Sequence, residues 1–454
     1  MTEISNAANH LSVRIKNRIS RPILLAPLIT FRIFFGLLMF FSTIRFWWRG
    51  WVATNYVDPS FHFTYLGFEW VKPMSYTGMH VLFLLMAFSA IGIAVGWFYR
   101  ISAVLFFLLF TYVELLDVTT YLNHYYFVSL VSFLMIWMPA HRDYSVDTLL
   151  HPEKKIRYVP IWIIGILRFQ IAIVYIFAGL AKLDPDWMLL AQPMRIWLPS
   201  KSHLPFIGQY LYETWMAYLF SWFGAVYDLF IIFFLLNRRT RAVAYVVVVI
   251  FHVATAIFFP VIGMFPYIMM LSSLIFFSGA FHEKLLSVIP GFHKKEGDSW
   301  LAVKRHSLFF TAAFIYLFFQ LAIPLRFLLY PDRLFWNEEG YRFSWRVMLM
   351  EKSGTAFFTV KDKGSNASVE INNAAFLTPL QEKMMSTQPD LILKYAHHLA
   401  DIFKKRGMED PAVFAEVYVT LNGRRSTLFI DSTVNLAKES VGWKHYKWVI
   451  PFKQ

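Results

Sequence analysis

The sequence predicts a polytopic α-helical membrane protein that carries a small C-terminal α+β domain outside the membrane. Three observations favour this fold class. The chain of 454 residues is 57% hydrophobic and only 16% charged, unlike an average soluble protein. About nine apolar segments, most of them near the roughly 20 residues that a spanning helix needs, follow one another through the first three quarters of the chain. The remainder changes to strand-like alternation and amphipathic helical periodicity.

The apolar segments predict about nine transmembrane helices, most of them separated by proline or loop residues, since proline ends a helix. The separating prolines are Pro73, Pro139, Pro160, Pro199, Pro260 and Pro324. The predicted spans lie at about 28–48, 79–99, 101–119, 122–139, 160–181, 216–236, 240–260, 262–280 and 306–324.

The distribution of basic residues predicts the orientation of the chain. Lysine and arginine total 43 against 29 for aspartate and glutamate, and the excess collects in short loops, as topology requires and nucleic-acid binding does not. The basic places are 1–21, Arg100, the loop 140–159, 238–241 and 282–305. An odd number of spans puts all five on one side. We therefore expect a cytoplasmic N-terminus and an extracytoplasmic C-terminal domain, in a bacterial inner membrane.

The C-terminal region has the patterns of a small α+β domain of about 120 residues. A β-hairpin is predicted around 356–371, and Asn422-Gly423 between two strand-like runs predicts a second hairpin turn. Helical periodicity runs through 379–406, with an apolar stripe at Leu391, Leu393, Tyr395, Leu399 and Phe403. The expected domains are a cytoplasmic segment 1–27, a transmembrane domain 28–330 that holds the candidate site, and an extracytoplasmic domain 331–454.

The stretch Tyr175–Trp187, YIFAGLAKLDPDW, ends an apolar helix on a single lysine, Lys182. A lysine in apolar surroundings can act as a base, because loss of hydration favours a neutral amine. The alternative is that Lys182 only reaches the membrane interface and anchors the helix. This segment alone leaves both interpretations open.

Two further polar positions are expected near the outer membrane face. Asn123 and His124 open the fourth predicted span, and His252 lies among apolar residues in the seventh, roughly 12 Å short of its outer end. Each histidine alone is more often a packing residue than a functional one. Together with Lys182 they predict an apolar pocket with a few polar groups, which is typical of a ligand site. Its expected aromatic walls are Tyr125, Tyr126, Phe265 and Trp187.

Other polar residues are given structural interpretations. Arg32, inside the first span, is expected to form an ion pair with Glu114, Asp117 or Asp228. Asp147 is expected to cap a helix on the cytoplasmic side. The chain has no cysteine, which excludes thiolate nucleophiles, and its His/Asp spacing is not typical of a metal site. A catalytic base would therefore be Lys, His, Asp, Glu or Tyr.

Several stretches resemble vitamin K-dependent γ-glutamyl carboxylase and the transmembrane domain that its bacterial relatives share. They are LNHYYFVSL at 122–130, HRDYSVD at 141–147, RFQIAIVYIFAGLAKLDPDW at 168–187, FH at 251–252, IGMFPYIMMLSS at 262–273, EGYRFSWRVMLM at 339–350 and VYVTLNGR at 417–424. The stretches occur in the order of the family and at similar spacing. The resemblance covers about 30–450, nearly the whole chain.

The resemblance implies an enzyme that oxidises vitamin K hydroquinone with O2 to the epoxide. The strong base so formed removes a γ proton from a peptidyl glutamate, and CO2 adds to the carbanion. The implied catalytic residues are Lys182, as the base that deprotonates the quinol, with His124 and Asn123. The implied quinol contacts are His252, Met264, Phe265, Tyr125 and Met348, and the implied glutamate side is Tyr341 and Trp345.

The resemblance also implies cofactors and partners. The cofactors would be vitamin K hydroquinone or menaquinol, O2 and CO2, and no metal is predicted. The partners would be the lipid bilayer, an isoprenoid quinol and a glutamate-containing peptide or protein, without nucleic acid. Because the isoprenoid tail would arrive from the lipid, the pocket is expected to open sideways to the bilayer.

The sequence departs from the family at several positions, and three functions remain open. Ala181 replaces a lysine of the animal enzymes, Met350 stands where the family has a histidine, and the animal enzymes continue beyond the position of Gln454. Propeptide recognition is therefore open, and the lack of cysteine suits a bacterial or archaeal relative. The alternatives to the carboxylase are a quinol epoxidase or oxygenase without an efficient glutamate site, and a non-enzymatic quinone- or lipid-binding membrane protein that reuses the fold.

Overall fold

The computed structural model describes residues 20–289, 306–362, 364 and 367–452. The first helices are α1 (Ala26–Trp48), α2 (Trp51–Tyr56), α3 (Tyr76–Val95), α4 (Tyr99–Leu116), α5 (Asn123–Trp137), α6 (Val146–Leu150), α7 (Ile161–Ala181), α8 (Pro185–Leu189) and α9 (Met194–Trp197). They continue as α10 (Thr214–Leu236), α11 (Arg241–Phe258), α12 (Phe265–Ser273), α13 (Gly279–Leu286), α14 (His306–Leu325) and α15 (Leu334–Asn337). The short strands β1 (Pro22–Leu24) and β2 (Tyr158–Pro160) pair antiparallel.

The membrane part agrees with a polytopic helical protein. Among the described residues, seven helices are long and apolar enough to cross a membrane: α1, α3, α4, α7, α10, α11 and the segment Phe310–Leu329. One bent pair, Phe265–Phe276 with α13, would make eight if it counts as a span. Helix α5 has only 15 residues, short of the roughly 20 that a straight span needs. The count of about nine spans therefore stays a prediction.

The eighth predicted span, 262–280, is not a straight helix. The chain turns by 117° between Phe276 and Gly279. Polar side chains satisfy the backbone carbonyls that this break frees, as an interrupted membrane helix requires. The Arg168 guanidinium donates to the carbonyl of Ile275 at 3.0 Å, and His282 Nε2 lies 3.0 Å from the carbonyl of Leu274. Hydropathy alone does not show this corner because the residues on both sides of it, 274–277 and 279–281, are apolar or small.

The end of the helices that holds the N-terminal strand also holds most of the basic loops. The strand β1 pairs with β2, at the end of the loop 140–159, and Arg157 lies 3.4 Å from Glu283 of α13. The Asp147 carboxylate accepts the backbone N–H groups of Phe98 and Tyr99 at 2.9 and 3.0 Å. Asp147 therefore stabilises the N-terminus of α4 from a distant segment, whereas the predicted cap of its own helix, α6, is Ser145, whose Oγ accepts the N–H of Thr148. Most of the basic stretches 1–21 and 282–305 lies outside the described residues.

The ion pair predicted for Arg32 was wrong. Its guanidinium is fully buried and donates to the backbone carbonyl of Tyr144. Asp228, one of the three proposed partners, instead binds Lys182. The physical reason is position along the helix, because Arg32 lies toward the end that holds β1, whereas Asp228 and Lys182 lie at the other side of the membrane part.

The C-terminal region is a four-stranded antiparallel sheet packed against helices. Its order is β4-β3-β5-β6, from β3 (Lys352–Asp362), β4 (Ser368–Ile371), β5 (Pro411–Leu421) and β6 (Thr427–Leu428). Both predicted hairpins are confirmed, and Asn422 and Gly423 have φ of 51° and 75°, as an Asn-Gly turn requires. The predicted helical stretch 379–406 is two helices, α16 (Pro379–Met385) and α17 (Pro389–Lys405), because Pro389 begins a new helix. All five residues of the predicted apolar stripe are buried.

Candidate functional site

A cavity of about 350 Å³ lies between α7, α10 and α11 at the end of the membrane part that faces the sheet domain. Its walls are almost entirely apolar and aromatic, and they include Trp187, Phe265 and Met348. Lys182, Asp228 and His252 bring ionisable groups into it. Leu219, Phe223 and Ile250 line it although they are 53%, 49% and 62% exposed on the outer surface of α10 and α11. The cavity therefore opens sideways, where lipid chains would lie.

Lys182 ends helix α7 and turns into the cavity, where it is buried. Its Nζ donates to Asp228 Oδ2 at 2.6 Å and to the Ala178 carbonyl at 3.3 Å, and lies 5.4 Å from the centre of the Trp187 ring. Gly224 of α10 faces the Lys182 side chain, and a Cβ there would meet the lysine Cε at 3.8 Å. The interfacial anchor interpretation does not describe this geometry, because the amine points inward to a carboxylate.

His252 faces the same cavity from α11. Its Nε2 lies 3.0 Å from the Tyr175 hydroxyl, and the Tyr227 hydroxyl donates to that of Tyr175 at 3.4 Å. His252 Nδ1 has no hydrogen-bond partner among the described residues. The ring of Phe265 lies edge-on to His252, with 5.7 Å between ring centres. One imidazole nitrogen is therefore fixed by Tyr175, and the other is buried without a hydrogen bond among the described residues.

The structure places His124 and Asn123 behind this cavity, outside its lining. His124 is buried at the start of α5 and lies 6.1 Å from the Phe265 ring, so Phe265 stands between the two histidines. Asn123 Nδ2 donates to the Arg346 carbonyl at 2.8 Å. Asn123 thus holds the chain segment whose next two residues, Val347 and Met348, line the cavity.

The segment 343–348 carries unusual backbone strain. Phe343, Trp345 and Met348 have φ of 60°, 59° and 50°, a left-handed conformation that costs a non-glycine residue about 1 kcal/mol or more. Trp345 is buried and stacks on Tyr126 with ring centres 5.0 Å apart. The Phe343 N–H donates to the Tyr121 hydroxyl at 2.7 Å. These contacts offset the strain, and the segment places Met348 in the cavity wall.

The remaining predicted site residues lie at separate places. Met264 is buried and accepts a hydrogen bond from Ser42 at its sulfur, 3.0 Å away. Tyr125 lines a small cavity of about 30 Å³ that also contains Glu114. Tyr341 lines a cavity of about 360 Å³ beneath the sheet domain, beside Arg342 and Asp390. The structure thus brings together Lys182, His252, Phe265 and Met348, and sets the others around them.

Sequence reasoning missed two side chains of the site. Asp228 is a lone acid in an apolar helix, which was a signal of function, but the sequence does not show that α10 packs on α7 beside Lys182. Tyr175 opens the stretch that ends in Lys182, and only the structure shows its bond to His252. Asp228 holds the Lys182 amine in place, and Tyr175 holds the His252 ring.

Comparison with known proteins gives two matches that together cover most of the chain. Residues 20–280 match the HTTM domain family. Residues 305–454 match the lumenal domain of vitamin K-dependent gamma-carboxylase. No solved structure matches the chain.

Proposed function

Because the chain belongs to the vitamin K-dependent gamma-carboxylase family, we propose that it is a membrane carboxylase. It would couple the oxidation of vitamin K hydroquinone or menaquinol by O2 to the γ-carboxylation of peptidyl glutamate with CO2. The observation that carries this proposal is the buried Lys182 amine, which meets Asp228 and His252 in one apolar cavity that opens toward the lipid.

The cavity suits a quinol. Its volume of about 350 Å³ lies in the range of small-molecule sites, and its aromatic walls offer flat surfaces to a fused ring. The sideways opening between α10 and α11 gives an isoprenoid tail a path to the bilayer. A bound quinol supplies the electrons that reduce O2 and, through its oxidation, the strong base for the glutamate.

Lys182 and Asp228 supply the first proton acceptor in this proposal. The pair, 2.6 Å apart, holds one proton between an amine and a carboxylate and is neutral overall. Accepting the hydroxyl proton of a quinol brings it to two protons and a net charge of +1. That charge lies beside the quinol anion and stabilises it in a water-poor cavity. In the doubly protonated pair the second proton resides on Asp228, which therefore shares the proton with Lys182 and also holds the amine in place.

His252 orients the same quinol. Since Tyr175 engages Nε2, the buried Nδ1 is the nitrogen left without a partner, and a quinol oxygen would reach it after a small movement of the imidazole ring. Phe265 and Met348 pack the ring, and His124 supports Phe265 from behind. Asn123 keeps the strained segment 343–348 in place. We therefore propose that His252, Phe265 and Met348 contact the quinol, as the resemblance implies. Asn123 and His124, for which the resemblance implies a catalytic role, would act here by supporting the cavity wall.

The test uses purified protein with reduced vitamin K, O2, CO2 and a short glutamyl peptide. Epoxide and γ-carboxyglutamate are measured by mass spectrometry. We expect both products, and we expect Lys182→Ala to abolish both because the quinol keeps its proton. Lys438→Ala, at an exposed lysine of the sheet domain, is the matched control and should retain activity. Epoxide formation at the wild-type rate in Lys182→Ala would show that Lys182 is not the base.

A second candidate function is a quinol epoxidase without effective glutamate carboxylation. It is favoured by Met350, which stands where the family has a histidine. In the same assay it gives epoxide that depends on Lys182 without γ-carboxyglutamate. A well-folded protein that forms neither product would favour the non-enzymatic binding function.

A further inference from the structure

A second cavity lies on the other side of the segment 344–348 and of the end of α7. It has a volume of about 480 Å³ and is called here the lateral groove. Alternate residues of the same two segments line the two cavities. Val347 and Lys182 face the first cavity, whereas Arg346 and Ala181 face the lateral groove. The groove is therefore separate from the proposed quinol site.

Arg346 is a buried cation that forms no ion pair or hydrogen bond with a carboxylate among the described residues, although the negative charge of Asp184 raises its pKa from a longer distance. Only 8% of the residue is exposed, and its guanidinium carbon lies 4.4 Å from the centre of the Phe327 ring. Among the described residues its guanidinium has no hydrogen-bond acceptor, and Nε is buried without one. Burial lowers the pKa of Arg346 to about 10, which still leaves it charged at neutral pH.

The acidic side chains of the groove are already engaged. Asp184 lies 3.3 Å from Arg333 and accepts the backbone N–H of Asp186 at 2.9 Å. Asp332 lies 3.8 Å from His445. A buried charge without a partner costs free energy that the fold must recover, so an external anion is the expected partner of Arg346.

The position of the groove indicates the source of that anion. Its mouth is lined by Leu180, Leu183, Leu325 and Leu328, which are 47%, 53%, 44% and 68% exposed. These leucines end two apolar helices, where a bilayer would cover them with acyl chains. At the same level stand the phosphate groups of the lipids. A guanidinium matches the geometry of a phosphate with two parallel hydrogen bonds.

We propose that the lateral groove binds the head group of a membrane phospholipid, with Arg346 donating to the phosphate and the acyl chains lying on the leucines of the mouth. This site does not depend on the proposed carboxylase function. Free phosphate has no acyl chains to cover the leucines. A glutamyl peptide would offer a carboxylate to Arg346 but would leave the same apolar mouth exposed.

The test is native mass spectrometry of the delipidated full-length protein with phosphatidylglycerol, a diacylglycerol with the same acyl chains, and inorganic phosphate. We expect wild type to bind phosphatidylglycerol and Arg346→Gln to bind it about tenfold or more weakly, since charged hydrogen bonds are lost. Diacylglycerol should bind weakly to both. Arg195→Gln, at an exposed arginine of α9, is the matched control and should bind like wild type.

A second variant keeps the test decisive if Arg346→Gln folds poorly. Leu328→Trp would fill the mouth without touching Arg346 and should also weaken lipid binding, whereas Leu236→Trp, at a lipid-exposed leucine of α10, should not. The proposal is overturned if Arg346→Gln binds phosphatidylglycerol like wild type, or if diacylglycerol binds equally well. If inorganic phosphate or a glutamyl peptide displaces the lipid, the lipid proposal is overturned and the groove is assigned to the competing ligand.

Discussion

Among single side chains, Asp228 is the direct ionic partner of Lys182 and is expected to control its proton transfer. Its carboxylate lies 2.6 Å from the amine, and both residues are only 6% exposed. A buried amine without this carboxylate would lose both its anchor and its proton-sharing partner. The two residues are 46 positions apart, so the pair depends on the packing of α10 against α7.

We expect Asp228→Asn to reduce the kcat for epoxide formation by about tenfold to a hundredfold, because the amine loses its proton acceptor. The KM for the quinol should change little, since the cavity walls remain. Asp228→Glu should restore part of the rate. Ser221→Ala, at a buried hydroxyl of the same helix, is the control. A raised KM with unchanged kcat would contradict the proton-sharing role.

The sequence predicted Lys182, His124 and His252 at similar depth near the outer membrane face. The structure brings Lys182 and His252 into one cavity with Phe265 and leaves His124 outside its lining. The similar depth follows from topology, because depth in the membrane depends only on position along each helix. Hydropathy does not predict which helices pack against each other. For that reason Asp228 was offered as a partner of Arg32, and the Tyr175–His252 bond was missed.

Among the elements, the short helix α8 connects the membrane part to the sheet domain through Asp186. Arg424 donates to both carboxylate oxygens, at 2.6 and 2.8 Å, and Asn422 of the hairpin turn donates at 2.7 Å. Arg333 lies 2.7 Å away. Burial alone would raise the pKa of Asp186, but these hydrogen bonds and charges outweigh it and hold the pKa well below its ordinary value.

Because the folded pKa of Asp186 is depressed, its contribution to stability is present above the unfolded pKa near 4 and is lost as pH falls through the folded value. We expect Asp186→Asn to lower the free energy of unfolding by about 2 kcal/mol at pH 7. The difference from wild type should shrink as pH falls below about 4. Thermal unfolding followed by tryptophan fluorescence measures this, with Asp401→Asn, at an exposed position of α17, as control. A difference that is independent of pH would contradict the charge-based explanation.

The second element to test is the cap that Asp147 provides to α4. Its carboxylate accepts two backbone N–H groups that would otherwise face the helix end without partners. We expect Asp147→Asn to lower the free energy of unfolding by about 1 kcal/mol, since an amide oxygen replaces only part of the cap. Asp58→Asn, outside any cap of α4, should leave unfolding unchanged, and an equal loss in both variants would show that Asp147 has no special role.

The sequence predicted the hairpins and helices of the sheet domain, because Asn-Gly turns and apolar stripes are local signals. It did not predict the corner between α12 and α13, where Arg168 from α7 satisfies freed carbonyls. Such a break depends on a side chain about a hundred residues away, which no local pattern contains. Local signals therefore account for the elements, and contacts between distant segments account for the site.

In the whole molecule, the basic loops and the candidate site lie at opposite ends of the helices. The β1–β2 pair, the Asp147 cap and the Arg157–Glu283 contact gather basic loops at one end, and the candidate cavity and the sheet domain lie at the other. The lumenal-domain match to 305–454 agrees with an extracytoplasmic C-terminal region. From the positive-inside rule we expect the basic end to face the cytoplasm.

The absence of cysteine makes this orientation directly measurable, since any introduced thiol is unique in the chain. We expect a membrane-impermeant maleimide to label Lys438→Cys in intact spheroplasts, because this exposed position belongs to the sheet domain. Lys154→Cys, at an exposed position of the loop 140–159, should be labelled only after the membrane is permeabilised. Both variants should be labelled fully in detergent, which controls for reactivity. Labelling of Lys154→Cys alone in intact spheroplasts would invert the topology, and it would place the candidate cavity on the cytoplasmic side.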